Sequence, residues 1–319
     1  MARKDINIVT SMVGKGLERE YDLLRELLNG HDIYTVGIHY TDLARATLVR
    51  ADATIFLEVI HPLAVNLSKE NWLVPNSEWW FPQNDRFLPQ MTKVLCKTRD
   101  CLRIWSKKVD PHKCTYVGFE SRDLYRPDIA REMKFLHVAG ESEFKNTESV
   151  IGAWRRTMLQ NVFKRPPLTV VTRQKKYRDL CEGVEGITCI ERASEDEIVQ
   201  LMNSHRFHLI PSAYEGFGHA LNEGIGCGAL VITTDGAPMN EFPGIVKELA
   251  VPVARTEPRS LAQLCHVTED AVLDSVRRAV ILDRDRPAYV EELSRIARRS
   301  FLESRESFRK KILELVGVS

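Results

Sequence analysis

Pro211-Ser212-Ala213-Tyr214-Glu215-Gly216-Phe217-Gly218-His219-Ala220-Leu221-Asn222-Glu223-Gly224 separates two short apolar runs, residues 207–210 and 229–233. The runs have strand length, and the stretch between them opens on turn residues and closes on helix formers, so the whole reads as strand, loop, helix, strand. Glycines on both sides of Phe217 let the backbone approach a ligand closely. The amides that open the following helix are donors aimed at negative charge, as a diphosphate requires. Glu215 and Glu223 bracket that anion site. Carboxylates there are repelled by phosphate, so they are expected to reach past it to hydroxyl groups, as on a sugar or a ribose. A lone Glu in such a place is usually a turn residue or a helix-start carboxylate favoured by the dipole; two of them together with the glycines point to a ligand.

Working outward, strands alternate with helical segments on both sides of this unit. Residues 6–10 form an apolar run, followed by Gly14-Lys15-Gly16 and an amphipathic helix over 17–28 that stops at Asn29-Gly30. Further strands are read at 33–38, 53–60 and 72–74. After Tyr125-Arg126-Pro127 the pattern restarts, with strands at 135–140, 168–172 and 187–190 and helices at 147–159 and 194–203, the latter opened by a Ser-x-x-Glu capping box. Alternation of this kind implies right-handed crossovers and parallel sheets. At 319 residues the chain exceeds what one core usually supports. The expectation is a doubled α/β architecture: residues 1–126 and 127–286 as two Rossmann-like domains with a cleft between them, and 287–319 as a long C-terminal helical segment returning to the first domain. The basic residues of that segment, Arg295, Arg298, Arg299, Arg305, Arg309, Lys310 and Lys311, are interleaved with Glu and read as a solvated face.

Composition narrows the function classes. Hydrophobic residues at 44% and charged residues at 28% are those of a globular chain. Lys plus Arg total 45 against 44 Asp plus Glu, so no whole-chain field draws the protein to nucleic acid or an anionic membrane. No apolar run has the length of a signal peptide or a membrane span, and the cytoplasm is the expected compartment. The seven cysteines lack paired zinc-site spacings; Cys96 and Cys101 stand closest and have no pair to complete a tetrahedron, so free thiols are expected.

The two Glu residues with seven positions between them, together with the Gly-Phe-Gly loop, resemble the signature of the retaining GT-B glycosyltransferases. The continuation Gly226-Cys227-Gly228-Ala229-Leu230-Val231-Ile232-Thr233-Thr234-Asp235-Gly236 with Glu241 is similar as well. The resemblance implies that Glu215 and the backbone of Gly216, Phe217 and Gly218 hold donor sugar and phosphates, and that Glu223 binds the ribose hydroxyls. Gly14 and Gly16 resemble the family's N-terminal glycine loop, and Asp123-Leu124-Tyr125-Arg126-Pro127 its entry to the second domain. Lys145 falls where the family keeps a Lys for the donor diphosphate. The companion Arg position holds Glu141 or a neighbour, which makes Arg173 the candidate replacement. The nucleobase is expected against Ile190-Glu191-Arg192, mainly through backbone groups.

The resemblance weakens in the first half. Relatives place a His after the fourth strand, against the reacting sugar; this chain reads Pro75-Asn76-Ser77-Glu78-Trp79-Trp80. Asn76, Ser77 or Glu78 then occupies that wall, with His61 before Pro62 as an alternative. Trp79, Trp80 and Phe81 suit either sugar stacking or core packing. Asp283-Arg284-Asp285 has the form of a metal-binding carboxylate pair, but its polar, helix-flanking context argues against that role, and no metal is expected. The implied activity is transfer of a sugar from a nucleotide-diphosphate-sugar, as donor substrate rather than resident cofactor, to an acceptor hydroxyl with retention. The acceptor is open: a glycan, a lipid-linked or small molecule, or a nucleic acid, which the neutral charge gives little encouragement. A nucleotide-sugar 2-epimerase and a non-catalytic sugar-nucleotide-binding protein are the competing readings.

Overall fold

A computed structural model describes residues 4–11, 15–39, 50–156 and 166–318. The chain divides into two compact units: Met1–Ser121 with Pro258–Ala262 and Ser304–Ser319, and Arg122–Glu257 with Gln263–Glu303.

In the first unit, strands β1 (Asp5–Thr10), β2 (Tyr34–His39), β3 (Ala53–Leu57), β4 (Glu70–Val74), β5 (Lys93–Cys96) and β6 (Cys114–Tyr116) form one sheet in the order β2-β1-β3-β4-β5-β6. Every neighbouring pair is parallel, with Ile8 opposite Gly37 and Ile55. Helix α1 (Lys15–Asn29) carries the crossover from β1 to β2, and α2 (Arg99–Trp105) that from β5 to β6. The central strands are buried on both faces, as parallel sheets require: Ile6, Ile8, Val9, Ile55, Phe56, Leu57 and Leu73 are all inaccessible. Trp80 meets Trp105 edge to face at 4.7 Å and closes the core beneath β4 and β5. The third strand is shorter than the apolar run implies. It ends at Leu57 because Glu58 takes a left-handed backbone, φ 66°, which no strand residue adopts.

In the second unit, β7 (Glu132–Gly140), β8 (Leu168–Thr172), β9 (Ile187–Ile190), β10 (His205–Ile210) and β11 (Leu230–Thr233) form a parallel sheet in the order β11-β10-β7-β8-β9. Its crossovers are α3 (Thr147–Arg155), α4 (Lys175–Cys181), α5 (Glu195–Ser204) and α6 (His219–Gly226). Helix α3 stops at Arg155 rather than continuing to 159, and residues 157–159 lie outside the described ones. Phe135, stacked on Phe207 at 5.1 Å and edge-on to Trp154 at 5.6 Å, fills the core. The capping box on α5 is complete: Ser194 Oγ accepts from the Glu197 amide at 3.2 Å while Glu197 accepts from the Ser194 amide at 2.7 Å. Ser194→Ala is expected to cost about 1 kcal/mol, read as a shift in the urea midpoint without a change of slope.

The chain then forms a two-stranded ribbon, β12 (Arg255–Arg259) with β13 (Ala262–His266), and two final helices, α7 (Glu269–Asp285) and α8 (Pro287–Leu315). Val290, Ala297, Phe301 and Phe308 bury one face of α8. The expectation of a merely solvated basic face on α8 is corrected. In the first unit Arg305 and Arg309 both donate to the buried carboxylate of Glu120, at 2.8 and 2.7 Å. In the second unit Arg298 clasps Asp123 through both terminal nitrogens, at 2.6 and 2.8 Å. A buried carboxylate such as Glu120 demands such partners, and a local reading of the helix does not reveal them. All seven cysteines are free thiols.

Candidate functional site

The candidate site of the second unit is built at the carboxyl ends of β7 and β10, where open parallel sheets place their ligands. Past β7 the chain makes a single turn in which Ser142 Oγ accepts from the Phe144 amide at 3.2 Å. Asn146 takes a left-handed backbone, φ 49°, and its Nδ2 donates to the Pro211 carbonyl at 2.7 Å. The Phe144 carbonyl accepts from the Ala213 amide at 2.6 Å. These bonds tie the β7 turn to the loop after β10. They bring Lys145 onto Glu215 as an ion pair, with side chains 12% and 11% exposed. Ser212 Oγ donates to the same Glu215 oxygen at 2.6 Å. Lys145 and Glu215, 70 residues apart in sequence, are thus brought together.

Gly218 closes the loop at φ 86° and is the N-cap of α6, without a side chain to cap it. The first-turn amides of a helix lack intrahelical acceptors and carry the positive end of its dipole. A Cβ on Gly218 would stand 3.3 Å from both Cβ and Cγ of Glu215, in a backbone region costly to L side chains. Gly218→Ala is therefore expected to destabilise the protein by about 1–2 kcal/mol, measured by chemical denaturation, and to displace Glu215. Phe217 is buried, edge-on to His219 at 5.3 Å and against Phe242 at 5.5 Å. Its ring is a packing anchor, and Gly216 and Gly218 flank it as backbone.

Glu223 lies one turn into α6 with its side chain 4% exposed. Arg122 Nε donates to Glu223 Oε1 at 3.3 Å, and an Arg122 terminal nitrogen reaches Glu195 Oε2 at 2.5 Å. Burial opposes the Arg122 charge, but Glu223 and Glu195 outweigh it and hold the guanidinium pKa above its ordinary value. Sequence reasoning missed Arg122 and Ser212. Neither carries a periodic or spacing signal, and Arg122 is 101 residues from Glu223.

The other donor-side candidates are placed differently. Arg173 donates to Glu141 Oε1 at 2.9 Å, both side chains being largely exposed. The carboxylate that stands in the expected Arg position is thereby paired with the proposed substitute, and no described ion pair links Arg173 to Glu215. Arg192 is exposed beyond β9. Gly16 lies in the first turn of α1, with no atom within 4 Å of the position a Cβ would take; Gly14 lies outside the described residues.

In the first unit a buried polar chain runs across the carboxyl ends of β3, β4 and β5. Asn76 Nδ2 donates to Glu58 Oε2 at 2.5 Å, Lys97 Nζ donates to Asn76 Oδ1 at 2.7 Å, and Lys97 pairs with Glu20 of α1 at 2.5 Å. Burial raises the Glu58 pKa against the opposing effects of Asn76 and Lys97. Asn76 is therefore the middle of this polar chain. Glu78 is buried, as is Ser77, whose Oγ accepts from Trp105 Nε1 at 3.2 Å. His61 Nδ1 accepts from the Leu63 amide at 3.2 Å, and burial lowers its pKa, so the neutral ring is favoured. Trp80 belongs to the core, while Trp79 is 39% exposed with Arg259 stacked on it at 4.8 Å. Glu58, Lys97 and Glu20 were not found from sequence; Glu58 was concealed inside the longer strand reading.

Asp283 pairs with Arg206 at 2.7 Å and Asp285 with Arg284 at 2.5 Å. Among the described residues no group of three or more His, Cys, Asp or Glu is arranged to hold a metal ion, and no helix is long and apolar enough to cross a membrane.

Residues 133–267 match the family described as Glycosyl transferases group 1. Among solved structures, the chain is similar to a sucrose-phosphate synthase from Thermosynechococcus elongatus, with TM-score 0.69 and 13% identity over 98% of each chain. It is similar to a glycosyltransferase from Rickettsia africae, with TM-score 0.66 and 14% identity over 99% of this chain and 98% of that one. It also resembles a UDP-GlcNAc 2-epimerase from Neisseria meningitidis bound to UDP-GlcNAc, with TM-score 0.60 and 12% identity over 98% of both chains. No curated protein matches by sequence. The fold is that of the GT-B glycosyltransferase structures, two parallel α/β sheets and a long C-terminal helix.

Proposed function

We propose that this protein moves a sugar from a nucleotide-diphosphate-sugar to an acceptor hydroxyl, with retention of anomeric configuration and without a metal ion. The observation that carries the reading is the Lys145–Glu215 ion pair set against the start of α6, with Glu223 one turn further on. In this reading the donor diphosphate takes the helix-start amides and draws Lys145 away from Glu215. The freed carboxylate accepts hydroxyl hydrogens of the donor sugar, and Glu223 accepts those of the ribose. As the sugar–diphosphate bond breaks, Lys145 and the amides hold the charge that develops on the leaving group. The acceptor hydroxyl attacks the oxocarbenium-like carbon from the face the diphosphate vacates and gives its proton to the departing diphosphate oxygen, so that a glycoside and a free nucleoside diphosphate result. The acceptor class, whether glycan, lipid-linked or small molecule, is left to experiment.

A panel of nucleotide-sugars screened by thermal shift selects the donor, because a ligand that binds only the native state raises Tm. Incubation with that donor and a mixed acceptor panel is expected to give a glycoside and a free nucleoside diphosphate. The epimerase reading is kept because the fold is shared with an epimerase. Donor incubated without acceptor separates the two: a new sugar isomer still joined to the nucleotide establishes the epimerase and overturns the transferase.

A further inference from the structure

The Glu223 side chain is only 4% exposed. A buried carboxylate is costly unless a cation stands beside it. Arg122 is that cation, and it is itself held from both sides, by Glu223 at 3.3 Å and by the outer Glu195 at 2.5 Å. The three groups come from separate parts of the second unit: α6, the segment before β7, and the first turn of α5. A planar guanidinium joined to two carboxylates fixes the orientation of each more tightly than an ammonium on a flexible stem does. A ribose presents two neighbouring O–H donors. An ionised carboxylate accepts both, whereas a protonated one spends an oxygen on its own hydrogen.

We propose that Arg122 is a positioning residue that makes the donor site select ribonucleotides: it holds Glu223 turned so that the carboxylate accepts from both ribose hydroxyls. The inference rests on the ribose role given to Glu223 above. Arg122 acts through Glu223 alone, so its loss is felt only by ligands that carry the 2′ and 3′ hydroxyls.

Calorimetry tests this with whichever of uridine, guanosine and adenosine diphosphate binds best, and with its 2′,3′-dideoxy counterpart. Wild-type protein is expected to favour the ribose form by about tenfold or more. In Arg122→Ala that preference is expected to fall to within about twofold of unity, with affinity for the dideoxy form unchanged. Arg122→Lys keeps a charge nearby without the second anchor and is expected to recover part of the preference; it also serves if the alanine variant fails to fold. Equal weakening toward both ligands, or an unchanged preference, overturns the role. A wild-type protein that binds none of the three diphosphates overturns the proposed function instead, and one that binds ribose and dideoxy forms alike removes Glu223 from the ribose and Arg122 with it.

Discussion

Lys145→Ala is expected to lower kcat for sugar transfer by about 100- to 1,000-fold, the range seen when one preorganised group is removed from a developing charge. Donor affinity is expected to change far less. Lys145 is already paired with Glu215 in the structure, in a place where both side chains are nearly covered. Its attraction to the ground-state diphosphate is therefore offset by the pair it must leave. The leaving group gains charge as the glycosidic bond breaks, and the difference between ground and transition state is where the ammonium contributes. Steady-state kinetics with the selected donor separates the two quantities. A proportionate loss of donor affinity with kcat preserved would place Lys145 in simple anion binding and contradict this role.

Glu223→Ala is expected to weaken donor binding by about 3 kcal/mol, the contribution of two hydrogen bonds to a charged acceptor, which is roughly 100-fold in Kd. The fold should survive the change, because Arg122 keeps Glu195 as a partner and is not left as a buried orphan charge. Turnover at saturating donor should stay close to wild type, since the ribose is remote from the reacting carbon. Calorimetry on the variant, with Glu223→Gln as a control of equal volume, decides the matter. Unchanged affinity in both would sink the ribose assignment.

Much of this site was legible in the sequence because its parts are local. Glu215, Gly218 and Glu223 fall within one strand-loop-helix unit, and the helix start that gives them meaning needs nothing beyond that unit. Lys145 was found only through resemblance, and its contact with Glu215 depends on the turn at Asn146 binding the Pro211 carbonyl. Partners held by tertiary packing left no local trace. Arg122, Ser212 and the chain from Glu58 to Glu20 are ordinary polar residues until the sheets bring strand ends together. The basic residues of α8 show the same limit from the other side. Their interleaved Glu suggested a solvated surface, yet Arg305 and Arg309 converge on Glu120, which is far away in sequence and fully buried. Helix length was misjudged at α3, and strand length at β3, where a left-handed Glu58 interrupts an apolar run that continues to Ile60.

The anomeric proton of the donor sugar, followed by NMR while wild-type protein turns over the selected nucleotide-sugar with its acceptor, tests the account most directly. The expected result is loss of the nucleotide-linked anomeric signal and growth of a glycoside signal with the same anomeric configuration, both slowed together with nucleoside diphosphate release in Lys145→Ala. A donor signal that stays unchanged across the acceptor panel, or one that converts to an isomer still attached to the nucleotide, would contradict it.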